Sequence, residues 1–425
     1  MCIRDSTNAS HNIERVDLGG KTVIPGMTES HAHISYTSNG PLELDKTPIE
    51  EAMIKTVDNA RIMLGSGFTS AISFGSVHRI DVFLRDAINS GQIVGPRLLA
   101  GGRDICAIGG NADTYPDHAK PQTEGLAMIT DGPWEIRKAV RSLWKNGVDV
   151  VKVMIDGELI SLQGRPGDLG YKDEEVEALV DEAHRKKMKV ACHARSAEAV
   201  KQAVRSGIDF IGHANYIDSE ALDLLIENKD RVYVGPAIAW EMAFLENAEK
   251  MGYKSDSREV IEYQKEVEET ITSYKKMKEA GIKILVGGDY GLDIAPHGTY
   301  AKDLEHYVNL FGFSNAEALH SATSLGGEAI VMMGYGPANR DEEKFSCPHS
   351  FELDRKGVGA HLAFGSGVHH CPGALLGRQE MISSFKFLVK RLKNINLQKP
   401  ISEPAHNFSM FFMPMSSLDI QFDKR

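Results

Sequence analysis

The 425-residue chain has few cysteines, no long apolar run and no excess of basic charge. Its five cysteines, at 2, 106, 192, 347 and 371, are scattered without paired spacing. That excludes a disulfide framework and fits a reducing compartment, so a cytoplasmic location is expected. No stretch of about 18 uncharged apolar residues occurs, which excludes a membrane span by length. The start lacks a charged segment followed by an apolar one, so no export signal is expected. Lys and Arg total 48 against 59 Asp and Glu, a formal charge of −11. A nucleic-acid footprint needs a basic excess, so no nucleic-acid partner is expected. Repeats and low-complexity tracts are also missing. Apolar residues at 42% and charged residues at 25% are ordinary for a globular protein. At roughly 100–200 residues per domain, the length suggests two to four domains. The 16 histidines are more informative, because several fall where strands should end.

From Lys21 to about Gly334, short β-branched runs alternate with longer helical patterns. Val23-Ile24 reads as a strand leading to His31. Further strands are expected at Phe68–Phe74, Leu98-Leu99 (ending at Gly101-Gly102), Val148–Ile155, Lys189–His193, Phe210–His213, Val232–Gly235 and Ile282–Val286. Helical spacing separates them, for example over Glu50–Leu64, Glu174–Lys186 and Glu259–Glu279. Such alternation implies a parallel sheet with crossover helices. About eight βα units over some 300 residues favour a closed (β/α)₈ TIM-type barrel over an open sheet. Trp134, Trp144 and Trp240 are expected to be packing residues.

His31 and His33 follow the first predicted strand, and Lys152 lies on the fourth. His193 and His213 end the fifth and sixth, and Asp289 follows the eighth. Barrel enzymes place their chemistry at the C-terminal ends of the strands, where the βα loops converge. Residues two apart in a strand face the same way, so His31 and His33 can reach one ion. Neutral imidazole and carboxylate suit zinc and similar divalent metals. A lone His-x-His is a weak signal; six such residues in order at strand ends are not. A lysine ammonium is a poor ligand, but a lysine carbamate formed with carbon dioxide would be anionic and bidentate. Tyr216 and His297, in the loops after strands six and eight, are candidate substrate contacts. Arg103, Asn111 and Asp113 flank Gly109-Gly110 and could line the mouth.

These residues resemble a known family. Pro25-Gly26-Met27-Thr28-Glu29-Ser30-His31-Ala32-His33 looks like the opening strand of the amidohydrolase superfamily, which often has Asp where Glu29 stands. Val151-Lys152-Val153, Val190-Ala191-Cys192-His193-Ala194, Ile211-Gly212-His213 and Val286-Gly287-Gly288-Asp289 resemble its later motif strands. The likeness is closest to the branch with imidazolonepropionase-like and Xaa-Pro dipeptidase-like members. It implies that His31, His33 and Asp289 hold one metal and His193 and His213 the other. It also implies that carboxylated Lys152 bridges the two and that Asp289 is general base and then general acid. Zinc is the expected metal, with manganese, iron or cobalt as alternatives.

From about Gly336 the rhythm stops. Phe364-Gly365-Ser366-Gly367-Val368-His369-His370-Cys371-Pro372-Gly373 precedes an amphipathic helix from Ala374 to Leu392, and the last 20 residues read as short strands. The loop resembles that of haem-thiolate cytochrome monooxygenases, which implies Cys371 as axial ligand. That family's oxygen-activating helix is missing, so little or no haem binding is expected. The expected division is 1–20 as leader and remnant of a β-sandwich, 21–334 as hydrolase barrel, and 335–425 as an irregular α+β monooxygenase fragment. The expected function is metal-dependent hydrolysis of a C–N bond in an amide, carbamate or cyclic amide, or in a dipeptide. A haem-binding, monooxygenase-related protein and a non-functional chimeric product are the alternatives. The expected partner is a small-molecule substrate, with neither nucleic acid nor membrane; a homo-oligomer is left open.

Overall fold

The computed structural model describes residues 19–37, 41–115, 118, 125–159, 164–330, 374–397 and 420–424. Residues 1–18 of the proposed leader and the Cys371 loop lie outside the described residues. The chain divides into two compact units, Met1–Val331 and Met332–Arg425.

The first unit is an α/β barrel. Its strands are β1 (Met27–Ala32), β2 (Phe68–Ser73), β3 (Arg97–Leu99), β4 (Asp104–Cys106), β5 (Ala127–Ile129), β6 (Val150–Met154), β7 (Lys189–Ala194), β8 (Phe210–His213), β9 (Tyr233–Gly235) and β10 (Lys283–Ile284). They form two parallel runs, β1-β2-β3 and β10-β9-β8-β7-β6-β4-β5. Backbone bonds join the runs at both seams. The Ser30 amide donates to Val286 O at 3.0 Å, and the Asp149 and Val150 amides donate to Ala100 O at 2.8 and 3.1 Å. Helix α1 (Pro41–Lys46) follows β1, and the parallel strands are covered by α2 (Ile49–Gly65), α3 (Ile80–Asn89), α4 (Gly132–Lys145), α5 (Asp173–Arg185), α6 (Ala197–Ser206), α7 (Ser219–Glu227), α8 (Ile238–Asn247), α9 (Arg258–Glu279) and α10 (Ala301–Asn309).

Local chemistry explains the boundaries. Helix α6 begins where the Ser196 hydroxyl accepts from the Ala199 amide and stops at Gly207, whose φ is 92°. Strand β6 reads Val-Val-Lys-Val-Met and is buried throughout, as a strand covered on both faces should be. Strand three stops at Leu99, ahead of Gly101-Gly102, as expected, and an unexpected strand, β4, follows the two glycines. The Asp81 carboxylate accepts from both glycine amides, at 2.7 and 3.0 Å, and so takes their donors out of the ladder. Val23-Ile24 is not a strand; both side chains are exposed, at 62% and 46%, and pairing starts at Met27. Trp240 packs in the core as expected, but Trp134 and Trp144 are 80% and 50% exposed. They stand on the outer side of α4, where Ile136, Ala139, Val140 and Leu143 already fill the buried face.

In the second unit, a helix (Ala374–Arg391) leads into an antiparallel pair, Leu392–Leu397 with Ile420–Lys424. No helix among the described residues is long and apolar enough to cross a membrane.

Candidate metal centre

Parallel register brings the predicted ligands level. Lys152 pairs with Ala191, Met154 with His193, His193 with Gly212, and Ala194 with His213. Side chains from neighbouring strand ends therefore meet inside one rim. His31 and His213 lie edge to face with centroids 5.1 Å apart, and His193 and His213 are 4.3 Å apart. Asp289 Oδ1 is 3.1 Å from His33 Nε2 and 3.7 Å from His31 Nε2. Ligand atoms of His31, His213 and Asp289 all lie within 4.8 Å of one another. Lys152 is buried, and its Nζ sits 4.6 Å from the Phe74 ring centroid. Phe74 in turn stacks on His31 at 4.2 Å.

The protonation states fit ligation. Burial holds His31, His193 and His213 well below the ordinary imidazole value, so each ring stays neutral. Burial alone would raise Asp289; the adjacent His31 ring and the hydrogen bond with His33 outweigh it and hold the carboxylate ionised. Burial also lowers Lys152, against the opposing pull of Asp104 and Asp289. Cys192, beside His193, is pushed up to about 12 by burial, so its thiol stays protonated. Thiolate chemistry is thus not offered here.

The residues fit divalent cations on a further observation. Both ring nitrogens of His213 and Nδ1 of His31 are buried, with no hydrogen-bond partner among the described residues. Each such orphan costs about 1–3 kcal/mol unless something occupies it. His213 and Asp289 also sit in the left-handed region, at φ 80° and 58°. Strain of that kind persists where the surroundings fix it, and it clusters at functional sites. Tyr274 helps fix the first, its hydroxyl donating to His213 O at 2.8 Å.

The other candidates are less central. Tyr216 is directed to Glu266 and is raised by burial and by that carboxylate. His297 is bonded to the Tyr300 hydroxyl at 2.7 Å and to Tyr36 O at 3.3 Å, and burial brings it down to about 4. Asp113 accepts from the Gly109 amide at 2.9 Å, which is local loop chemistry.

Sequence reasoning missed two charged residues. Asp104 is fully buried, and neither carboxylate oxygen has a partner among the described residues. Burial pushes it up to about 7, while Lys152 and His33 pull it down. An Asp set among Ile105 and Cys106 in a short apolar strand was the available signal. Arg195, two residues after His193, is fully buried among Glu158, Glu241 and Glu266.

The sequence profile of the amidohydrolase family matches residues 22–333. The chain belongs to the amidohydrolase family. Within it, an ochratoxinase of Aspergillus niger is 28% identical over 340 residues, covering 75% of this chain and 66% of that enzyme. The chain thus spans about two thirds of that relative's length. The crystal structure of a Xaa-Pro dipeptidase with methionine bound in the active site is 31% identical, with a TM-score of 0.62 over 72% of this chain and 75% of that one. Separately, cytochrome P450 121 of Mycobacterium bovis is 42% identical over 77 residues, 18% of this chain and 19% of that protein. This amidohydrolase is therefore a TIM-barrel hydrolase of a family that works with divalent metals.

Proposed function

We propose that this amidohydrolase cleaves a C–N bond of a small amide, carbamate, cyclic amide or dipeptide at a binuclear centre. The observation that carries the reading is the convergence of four imidazoles, one ionised aspartate and one buried lysine at the C-terminal rim. Bound divalent cations would supply Lewis acidity at the scissile carbonyl and lower the pKa of water. His31, His33 and Asp289 would hold one ion, and His193 and His213 the other. Lys152 would bridge them as a carbamate. The unprotonated amine that burial favours is the form that attacks carbon dioxide, forming an N–C bond and releasing one proton. Asp289, ionised and next to His33, is placed to take a proton from the attacking water and return it to the leaving nitrogen. Tyr216 and His297, in the loops after strands six and eight, would be the substrate contacts. An ochratoxinase and a Xaa-Pro dipeptidase among the relatives support a hydrolase of small substrates. Zinc is the first metal to try. The test is a panel of N-acyl amino acids, dipeptides and carbamates with zinc and bicarbonate. Hydrolysis that depends on both supports the reading; none with any metal contradicts it.

A second reading concerns the second unit, and the 77-residue likeness to cytochrome P450 121 favours it. We propose that this unit is a monooxygenase fragment fused to the barrel, carrying Cys371 in a haem-ligand loop without the haem's other face. The expected result is no thiolate-type Soret band after reduction under carbon monoxide. A strong band would assign a haem site instead.

A further inference from the structure

Glu29 is completely buried beside the metal centre, and the mechanism above gives it no task. One of its oxygens, Oε1, accepts two backbone hydrogen bonds. The His31 amide donates at 3.0 Å and the Gly288 amide at 3.1 Å. The first amide belongs to a proposed ligand, and the second belongs to the residue before another, Asp289. A single side-chain atom therefore ties β1 to the segment after β10, at the point where each delivers its ligand.

The surroundings make this tie tight. Next to it, Ser30 gives Val286 O both its amide, at 3.0 Å, and its hydroxyl, at 2.6 Å. A Cβ on Gly287 would lie 2.6 Å from the His31 amide nitrogen, so the two backbones are already in contact. Asp289 follows in a left-handed conformation at φ 58°. A non-glycine residue holds that conformation only where neighbouring groups over-determine it. Removing the acceptor would leave two buried amides unpaired and free the peptide leading into Asp289.

We infer that Glu29 is a positioning residue whose Oε1 sets the spacing between His31 and Asp289, and so builds one of the two metal sites. The inference rests on the binuclear reading above. It differs from a general role in stability, because it predicts a loss confined to the ion held by His31, His33 and Asp289.

The test compares wild type, Glu29→Gln and Glu29→Leu as full chains. Gln keeps an acceptor oxygen in the same place; Leu has similar bulk and none. Zinc binding is measured by competition with a chromophoric chelator, alongside the melting temperature of each metal-free chain. Glu29→Gln is expected to bind both ions within about threefold of wild type. Glu29→Leu is expected to weaken one ion by about 10–100-fold, as loss of a supporting hydrogen bond does, and to leave the other unchanged. If Glu29→Leu does not fold, Glu29→Met takes its place, since its flexible side chain adapts to the cavity. Unchanged binding of both ions by the acceptor-less variant would overturn the inference. Equal weakening of both ions, tracking a lower melting temperature, would overturn it too. A wild-type chain that takes up no zinc would refute the binuclear reading itself, and this inference with it.

Discussion

A histidine becomes a metal ligand only if it is neutral, and His31, His193 and His213 are kept neutral by burial. Their folded pKa values lie below the ordinary 6.5. A depressed value makes the neutral ring's stabilising contribution complete above the unfolded value. It is lost only as pH falls toward the folded value. In a metal-free chain, NMR titration should therefore show these three rings unshifted between about pH 7.5 and 6.5. His297 should titrate near the value of about 4 that burial gives it. Midpoints near 6.5 for all four would contradict the buried arrangement. Two substitutions test roles. Asp289→Asn should lower kcat by about 10²–10⁴-fold, the usual contribution of a positioned acid–base group. Lys152→Ala should abolish zinc-dependent turnover, and bicarbonate should not restore it. His31, His33, Lys152, His193, His213 and Asp289 were legible in sequence because their order and strand-end positions form a pattern along the chain. Asp104 was not, since what marks it is the missing partner in three dimensions, and Lys152 and His33 approach it from distant strands. Arg195 was hidden for the same reason, its partners lying far from it in sequence, Glu158 in an earlier loop and Glu241 and Glu266 on later helices.

At the scale of elements, the helices were legible because their apolar residues repeat with the helical period, and α9 at Arg258–Glu279 begins one residue before its expectation. Strand edges were less so. Val23-Ile24 has a strand's composition but no partner strand beside it. Strand three ends before Gly101-Gly102 as its composition suggests, with the Asp81 carboxylate capturing both glycine amides, but the short strand β4 beyond them was not legible. The exposed tryptophans of α4 show the same limit, since the apolar face of that helix is complete without them. The rim depends on glycine where a ligand side chain closes on a neighbouring strand. A Cβ at Gly212 would lie 2.9 Å from His31 Cε1 and 3.0 Å from Cys192 O. Gly212→Ala should displace the His31 ring and destabilise the chain by about 1–3 kcal/mol, as overpacking does. Thermal melting with and without zinc measures both effects. An unchanged melting temperature and unchanged zinc affinity would contradict the close approach.

Across the whole molecule, an unremarkable composition covers two unlike parts. Residues 22–333 match one family, while 77 residues resemble part of cytochrome P450 121. Average charge and hydropathy carry no sign of that difference; motif spacing does. The proposed reaction needs the six rim residues to act together, so the number of ions the chain holds is the quantity that speaks most directly. The deciding measurement is the metal content of the purified full-length chain after equilibration with zinc and bicarbonate and removal of free metal. About two zinc ions per chain, falling in Lys152→Ala, is the result expected of a binuclear centre bridged by that lysine. No zinc above the level of a metal-free control, with Lys152→Ala indistinguishable from wild type, would contradict it.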